Sequence, residues 1–162
     1  MATIQVKKGD DFLLKLSQVE MLTREEIIGG ALYAGAAIAT DMVRAELDAI
    51  PTDESFGTSE HQATGPKAIQ KEGLSRSLGI ASMRDDGSGF YTVKIGFDEY
   101  NRVKTKKWPK GQLNQMVARS IESGTTWMQK NPFIKRAAAK SRKKSIAAME
   151  QHVKETVEKI MK

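Results

Sequence analysis

The side chains best suited to chemistry near neutral pH are few. The chain has two histidines, His61 and His152, and no cysteine. His61 lies between Glu60 and Gln62 in a polar stretch, and His152 sits beside an apolar helical stripe. Neither has a second histidine at the i+4 spacing of a helical zinc pair, and no HExxH sequence occurs. The missing cysteines remove disulfides, thiolate metal sites and cysteine nucleophiles together. Asp85 and Asp86 could offer oxygens to a cation, but Asp85 to Gly89 reads first as a turn, and no glutamate closes an EF-hand loop there. Gly29 and Gly30 stand inside a helical pattern rather than between strand and helix, so they form no phosphate cradle. No G-x-S-x-G elbow is present. The carboxylates open to acid–base work, Asp41, Glu46, Asp48 and Glu122, occupy ordinary helix positions. No catalytic, cofactor or metal site is assigned, and a non-enzymatic protein with no cofactor is expected.

Binding chemistry is better represented. Net charge is +6 and the isoelectric point about 9.5, which favours acidic partners such as nucleic acid, anionic lipid or acidic protein faces. One cluster, Lys104, Lys106, Lys107 and Lys110, surrounds Trp108-Pro109. Lysines beside a tryptophan could combine phosphate contacts with stacking, or supply an aromatic anchor in an assembly loop. A second cluster, Lys140, Arg142, Lys143 and Lys144, follows Lys135 and Arg136 in the first half of the final helical pattern. A lysine-rich solvated surface would look the same.

These residues need elements to hold them. A chain of 162 residues with 40% apolar and 28% charged side chains fits a single globular domain over 1–162. The first residues, MATIQVKKGDD, contain no apolar run of signal-peptide length. The mild apolar stretch from Ile27 to Thr40 is too short to cross a bilayer, so a soluble chain with no membrane partner is expected. Asp10 to Met21 can form a short helix with Phe12, Leu13, Leu16 and Val19 on one side. Thr23 to Glu26 has the capping-box pattern and opens a longer helix striped by Ile28, Leu32, Gly35, Ala39, Val43 and Leu47. Its small residues Ala31, Gly35, Ala36 and Ala39 allow another element to approach closely. Ile50-Pro51 ends it.

A long, flexible loop is expected over 52–73 and a second over 98–111. Between them, Leu78 and Ile80 lead into the Asp85–Gly89 turn. Tyr91, Val93, Ile95 and Phe97 then alternate with Phe90, Thr92 and Lys94 along a return strand. Gln112 to Ser123 reads as a short helix with Gly124 at its C-cap. Asn131-Pro132 announces the last helix, with asparagine as cap and an apolar stripe of Ile134, Ala138, Ser145, Met149, Val153, Val157 and Ile160. The fold class is α+β: long N- and C-terminal helices packed on a small antiparallel sheet with extended loops.

The order of short motifs is distinctive. V-A-R-S-I-E-S-G-T runs from Val117 to Thr125 and N-P-F-I-K-R-A-A from Asn131 to Ala138. Upstream stand G-L-S-R-S-L from Gly73 to Leu78 and V-K-I-G-F from Val93 to Phe97. This series resembles the tail-component, or tail-completion, family of long-tailed bacteriophages, from about Leu14 to the C-terminus. The resemblance rests on Glu122, Gly124, Thr125, Pro132 and Phe133, and it implies that G-L-S-R-S opens a strand. The chain departs from the family in its longer loops and in having Asn114-Gln115-Met116 where an aromatic-alanine pair is common. The resemblance implies a non-enzymatic virion protein of the neck, assembled in the bacterial cytoplasm. It implies a homo-oligomeric ring that joins the tail to the head connector. The implied partners are the connector or head-completion protein and the tail terminator or tail tube, with genomic DNA passing through. The alternative from the residues alone is a small basic nucleic-acid-binding protein.

Overall fold

The computed structural model describes residues 24–162. The helix expected at 10–21 and the capping residue Thr23 lie outside the described residues. The elements are α1 (Arg24–Asp48), α2 (Ala68–Ser77), β1 (Leu78–Ile80), β2 (Arg84–Asp85), β3 (Tyr91–Thr92), β4 (Ile95–Phe97), α3 (Asn114–Ser123) and α4 (Phe133–Met161). The α+β class and the long helices at either end agree with the sequence pattern.

The two long helices run antiparallel: Gly30 faces His152, Gly35 faces Met149, and Glu46 meets Arg136. Glycine inside a helix costs about 1 kcal/mol relative to alanine. At Gly35 the reason for keeping it is steric, because an added Cβ would lie 2.2 Å from Met149 Cε and 2.8 Å from its Cγ. Ala31, one turn before Gly35, is buried on the same seam, whereas Ala36, two turns on from Gly29, is buried on the face that meets Met83. The close approach expected from the small residues of α1 is therefore, at Ala31 and Gly35, the packing of α4.

The expectation of a stretch too short to cross a membrane rested on Ile27 to Thr40; the helix carries the apolar composition further, and Glu26–Asp48 is by length and composition long and apolar enough to cross one. In the structure one face of that helix packs against α4. The α1 helix stops where the sequence says, before Pro51. Its last carbonyls are taken by a lysine: Lys71 Nζ donates to Asp48 O and Ile50 O at 2.7 Å each, a favourable place for a cation.

The expected loop over 52–73 is a loop only to residue 67. Ala68–Ser77 is helical, so G-L-S-R-S closes a helix and does not open a strand. Side chains supply the missing first-turn partners: Glu54 Oε1 accepts from Ala68 N at 2.8 Å and Gln70 Oε1 from Lys67 N at 3.0 Å. Gly73, Leu74 and Ser77 are the buried face. A ten-residue helix with one large buried apolar residue has weak periodicity, and its acceptors lie outside it, so the pattern was hard to see.

The hairpin forms in two pieces. β1 and β4 pair antiparallel with Leu78 opposite Phe97 and Ile80 opposite Ile95; β2 and β3 pair with Arg84 opposite Thr92. Between the pieces the outgoing strand holds three residues, 81–83, and the return strand two, 93–94. The extra residue makes a bulge-like break, and it ends the alternation begun by Leu78 and Ile80. The return strand keeps its two faces: Tyr91, Val93, Ile95 and Phe97 are half-buried, and Phe90, Thr92 and Lys94 are exposed.

The core gathers at one end of the helix pair. Val43, Leu47 and Ile50 of α1 and its exit meet Leu74, Leu78, Val117, Ile121, Phe133 and Ala137. Phe133 is fully buried, with its ring 6.2 Å from that of Phe97. The line buried along α4 is Phe133, Ala137, Ser141 and Ser145. Ile134 and Ala138, expected in the buried stripe, are exposed. Beginning the buried line at Phe133 places Ile134 about 100° further round the helix. Phe133→Ala should lower unfolding free energy by about 3–5 kcal/mol, measured by urea denaturation; wild-type stability would mean that the Phe133 pocket contributes nothing to the core.

Candidate functional site

The motif residues Glu122, Gly124, Thr125, Pro132 and Phe133 come together as one joint between α3 and α4. Glu122 stands near the end of α3, and its carboxylate accepts from Ile134 N at 2.8 Å and Lys135 N at 3.1 Å. Those amides are among the four that a helix start leaves without partners. The expected cap, Asn131, does not serve them: its Oδ1 accepts from Arg136 Nη2 at 2.7 Å. The N-cap position is Pro132, which has no capping side chain, so the cap comes from another helix. Gly124 closes α3 with φ 74°, and an added Cβ there would lie 3.0 Å from the Lys130 backbone. Thr125 Oγ1 accepts from the Trp127 and Met128 amides at 3.2 and 3.1 Å, and its carbonyl accepts from Gln62 Nε2 at 2.7 Å. Asn131 N then returns to Ile121 O at 2.8 Å.

The basic residues of α4 do not act as one set. Lys140 is engaged by Glu46, whose other carboxylate oxygen accepts from Arg136 Nε at 2.7 Å. The side chain of Glu46 is 9% exposed. The hydrogen bond from Lys140, then that from Arg136, holds its carboxyl below the usual carboxylate range. Lys140 is thus part of the α1–α4 seam, while Arg142, Lys143 and Lys144 are exposed. Glu46, an ordinary helix position by sequence, finds partners about 90 residues away that no local spacing reveals.

The loop cluster is also divided. Thr105 and Trp108 close a tight turn by mutual backbone bonds of 3.0 and 3.1 Å. Trp108 faces a groove of about 540 Å³ that also holds Phe56, Trp127, Lys67 and Lys107. Lys67 Nζ lies 3.4 Å from the Phe56 ring centre and Lys107 Nζ 5.8 Å from that of Trp108. Phe56 and Trp127 are 78% and 57% exposed. Lys104, Lys106 and Lys110 are exposed on the loop outside the groove lining. Two tryptophans and a phenylalanine interleaved with ammonium groups can take a flat or apolar group with negative charge nearby. The sequence singled out Trp108 alone. Trp127, two residues beyond Thr125, was the available signal for the other wall.

Both expected loops are anchored. Asn101 and Asn114, both buried, pair through Asn101 Nδ2 to Asn114 Oδ1 at 2.9 Å. Asn114 Nδ2 reaches Asp98 O at 2.9 Å, and Asn101 N reaches Gln112 O at 2.7 Å. In 52–67, Asp53 accepts from Ser55 N and Thr64 N at 2.9 Å each. The Ser55 hydroxyl, then the Thr64 and Ser55 amides, lower its carboxyl from 3.8 to about 2. Among the described residues no group of three or more His, Cys, Asp or Glu could hold a metal ion.

A second groove, of about 610 Å³, is apolar. Val43, Leu78, Ile95, Phe97, Met116 and Ile134 line it, with Gln115, Arg119 and Glu122 among its polar residues. Comparison with protein-family models, curated proteins and solved structures finds no significant match to the chain.

Glu122→Ala should destabilise the protein by about 1 kcal/mol, as losing a helix cap does. It should also speed hydrogen exchange at the Ile134 and Lys135 amides; unchanged exchange there would show that the carboxylate does not cap α4. Asp53 gives a pH-dependent outcome. Its depressed carboxyl stays ionised in the fold while the unfolded chain takes up a proton near 3.8, so its contribution is present above that value and fades as pH falls to about 2. The melting temperature of Asp53→Asn should therefore lie below wild type at neutral pH, with the gap closing between pH 4 and 2. A gap independent of pH would contradict this.

Proposed function

We propose that this chain is a non-enzymatic structural subunit of a tailed-phage virion, at the head-to-tail interface. On this reading it is a tail-completion or neck ring protein that joins the tail to the head connector. The observation that carries the reading is the joint. The residues that resemble the tail-completion family, Glu122, Gly124, Thr125, Pro132 and Phe133, are those that fix α4 against α3 and the core. They have a shared mechanical role, which is what a body pressed between neighbouring subunits needs. The exposed hairpin, the basic Trp108 loop and the two grooves supply distinct surfaces for different neighbours. On this reading α1 is a core helix of the subunit rather than a membrane anchor, assembly takes place in the host cytoplasm, and the partners are copies of itself, the connector or head-completion protein, and the tail terminator or tube.

A second reading is a small nucleic-acid-binding protein. The observation favouring it is the Trp108–Trp127–Phe56 groove with Lys67 and Lys107, which has the makings of a sequence-tolerant stacking platform. It predicts binding to single-stranded DNA that weakens steeply between low and physiological salt.

Particles from a phage or prophage lacking the gene separate the two. The proposal expects filled heads and unattached tails in electron micrographs of the lysate. Normal, infectious particles would remove it and turn attention to the DNA-binding reading.

A further inference from the structure

The apolar groove and the hairpin tip stand at opposite ends of the same element. The base of the hairpin, Leu78, Ile95 and Phe97, forms one wall of the groove. The tip lies further along α1 toward its N-terminal end. Met83 sulfur is within 3.3 Å of where a Gly29 Cβ would stand, and Met83 N donates to Tyr33 Oη at 2.8 Å. Gly29 and the groove residue Val43 are 14 positions apart on α1, about 21 Å along the axis at 1.5 Å per residue. The tip therefore points away from the groove of its own chain.

The two surfaces have complementary chemistry. Phe90, at the tip, is 70% exposed, and nothing lies within 4 Å of an added Cβ at Gly87 or Gly89. Beside it Asp85 and Asp86 carry two negative charges, and Arg84 one positive. Asp86 accepts from the Ser88 amide and hydroxyl at 2.9 and 2.7 Å and more weakly from the Phe90 amide, so the acid turn is held in shape. The groove offers apolar walls and Arg119. Its acid, Glu122, is occupied by the α4 amides. Arg142 follows the groove residue Ser141 and stands one turn beyond the groove residue Ala138, so helical spacing puts a second exposed cation beside it.

We infer that the Phe90 tip of one copy seats in the apolar groove of a second copy, with Asp85 and Asp86 facing Arg119 and Arg142. The inference rests on the ring reading and gives it a contact. Knob and hole are different patches, so the contact is heterologous. Repeated head to tail, it closes into a ring if the rotation between copies allows, and otherwise runs on as a filament. A phenylalanine entering an apolar pocket, rimmed by opposite charge, is the usual form of an interface anchor.

The absence of cysteine makes the contact testable in the full chain. Ser88→Cys, which keeps Phe90, and Gln115→Cys place thiols at the exposed tip and at the groove, and wild-type melting curves for both would establish that each folds. The two variants, made distinguishable in mass, are mixed and oxidised at high concentration. The mixed disulfide should exceed both homodimers several-fold, and a chain carrying both changes should give a ladder of higher species. A mixed product no more abundant than the homodimers overturns the contact, whether or not the wild-type chain forms rings. A dominant mixed product from a chain whose deletion leaves phage particles intact supports the contact and removes the virion role instead.

Discussion

The first amides of a helix have no partners in their own chain turn, and in α4 a carboxylate from a different helix supplies two of them. That constraint organises the fold. α4 has 29 residues, so a small change in its starting direction would become a large displacement at its far end. Glu122 reaches the Ile134 and Lys135 amides only if α3 stops at Ser123 and the chain turns back within nine residues. Gly124 makes the turn with a positive φ, and the Asn131 amide returns to Ile121. Phe133 is then directed into the space among Val117, Ile121, Leu74 and Phe97. With α4 so aimed, the small residues of α1 can lie against Met149 and His152, and Glu46 falls between Arg136 and Lys140.

The remaining chain has little regular structure, and side-chain amides and carboxylates replace it. Buried asparagine is costly unless both ends of its amide are satisfied. Asn101 and Asn114 meet that requirement through each other and through the carbonyls of Gln70, Gly73 and Asp98. One pair thus ties α2, α3 and the 98–111 segment together without strands. Asp53 and Glu54 do the corresponding work for 52–67: the first folds the loop on Thr64, and the second caps α2. The backbone of that loop also pairs with the segment after α3, through Ala63 with Trp127 and Gln129, which is how Phe56 and Trp127 come to line one groove.

What could be read in the sequence was whatever depends on neighbours along the chain. The α1 stripe, its stop before Pro51, the Asp85–Gly89 turn, the two faces of 90–97 and the Gly124 cap all follow from local spacing or local backbone demands, and all are present. The misreadings share the opposite property. α2 reads as loop because its first amides bond to Glu54 and Gln70 rather than to a serine or threonine just before it. Asn131 reads as a cap because it precedes Pro132, while the real cap is Glu122, close in space and on another helix. Lys140 falls in with Arg142, Lys143 and Lys144 because charge along a sequence carries no sign of a distant glutamate. Phe56, Lys67 and Trp127 give no signal because a groove walled by three segments has no one-dimensional pattern.

The charge of the protein takes on a different meaning once these pairings are known. A net +6 suggests one attractive face, yet the clusters that create it are separate. Lys140 serves the helix seam, Lys107 borders the aromatic groove, Arg142 stands near the apolar groove, and Lys104, Lys106 and Lys110 are solvated. Exposed, scattered lysines are screened within about 8–10 Å at physiological salt, so they favour weak and general attraction over recognition of one sequence. The tip of the hairpin is the counterweight, an acidic turn at the far end of the element whose base forms the apolar groove. A molecule with an acidic knob at one end and an apolar hole with arginines at the other is polar along its length. Under the proposed tip-to-groove contact, copies would add in one direction. That directionality, more than the net charge, is what the proposed neck role would require of a subunit.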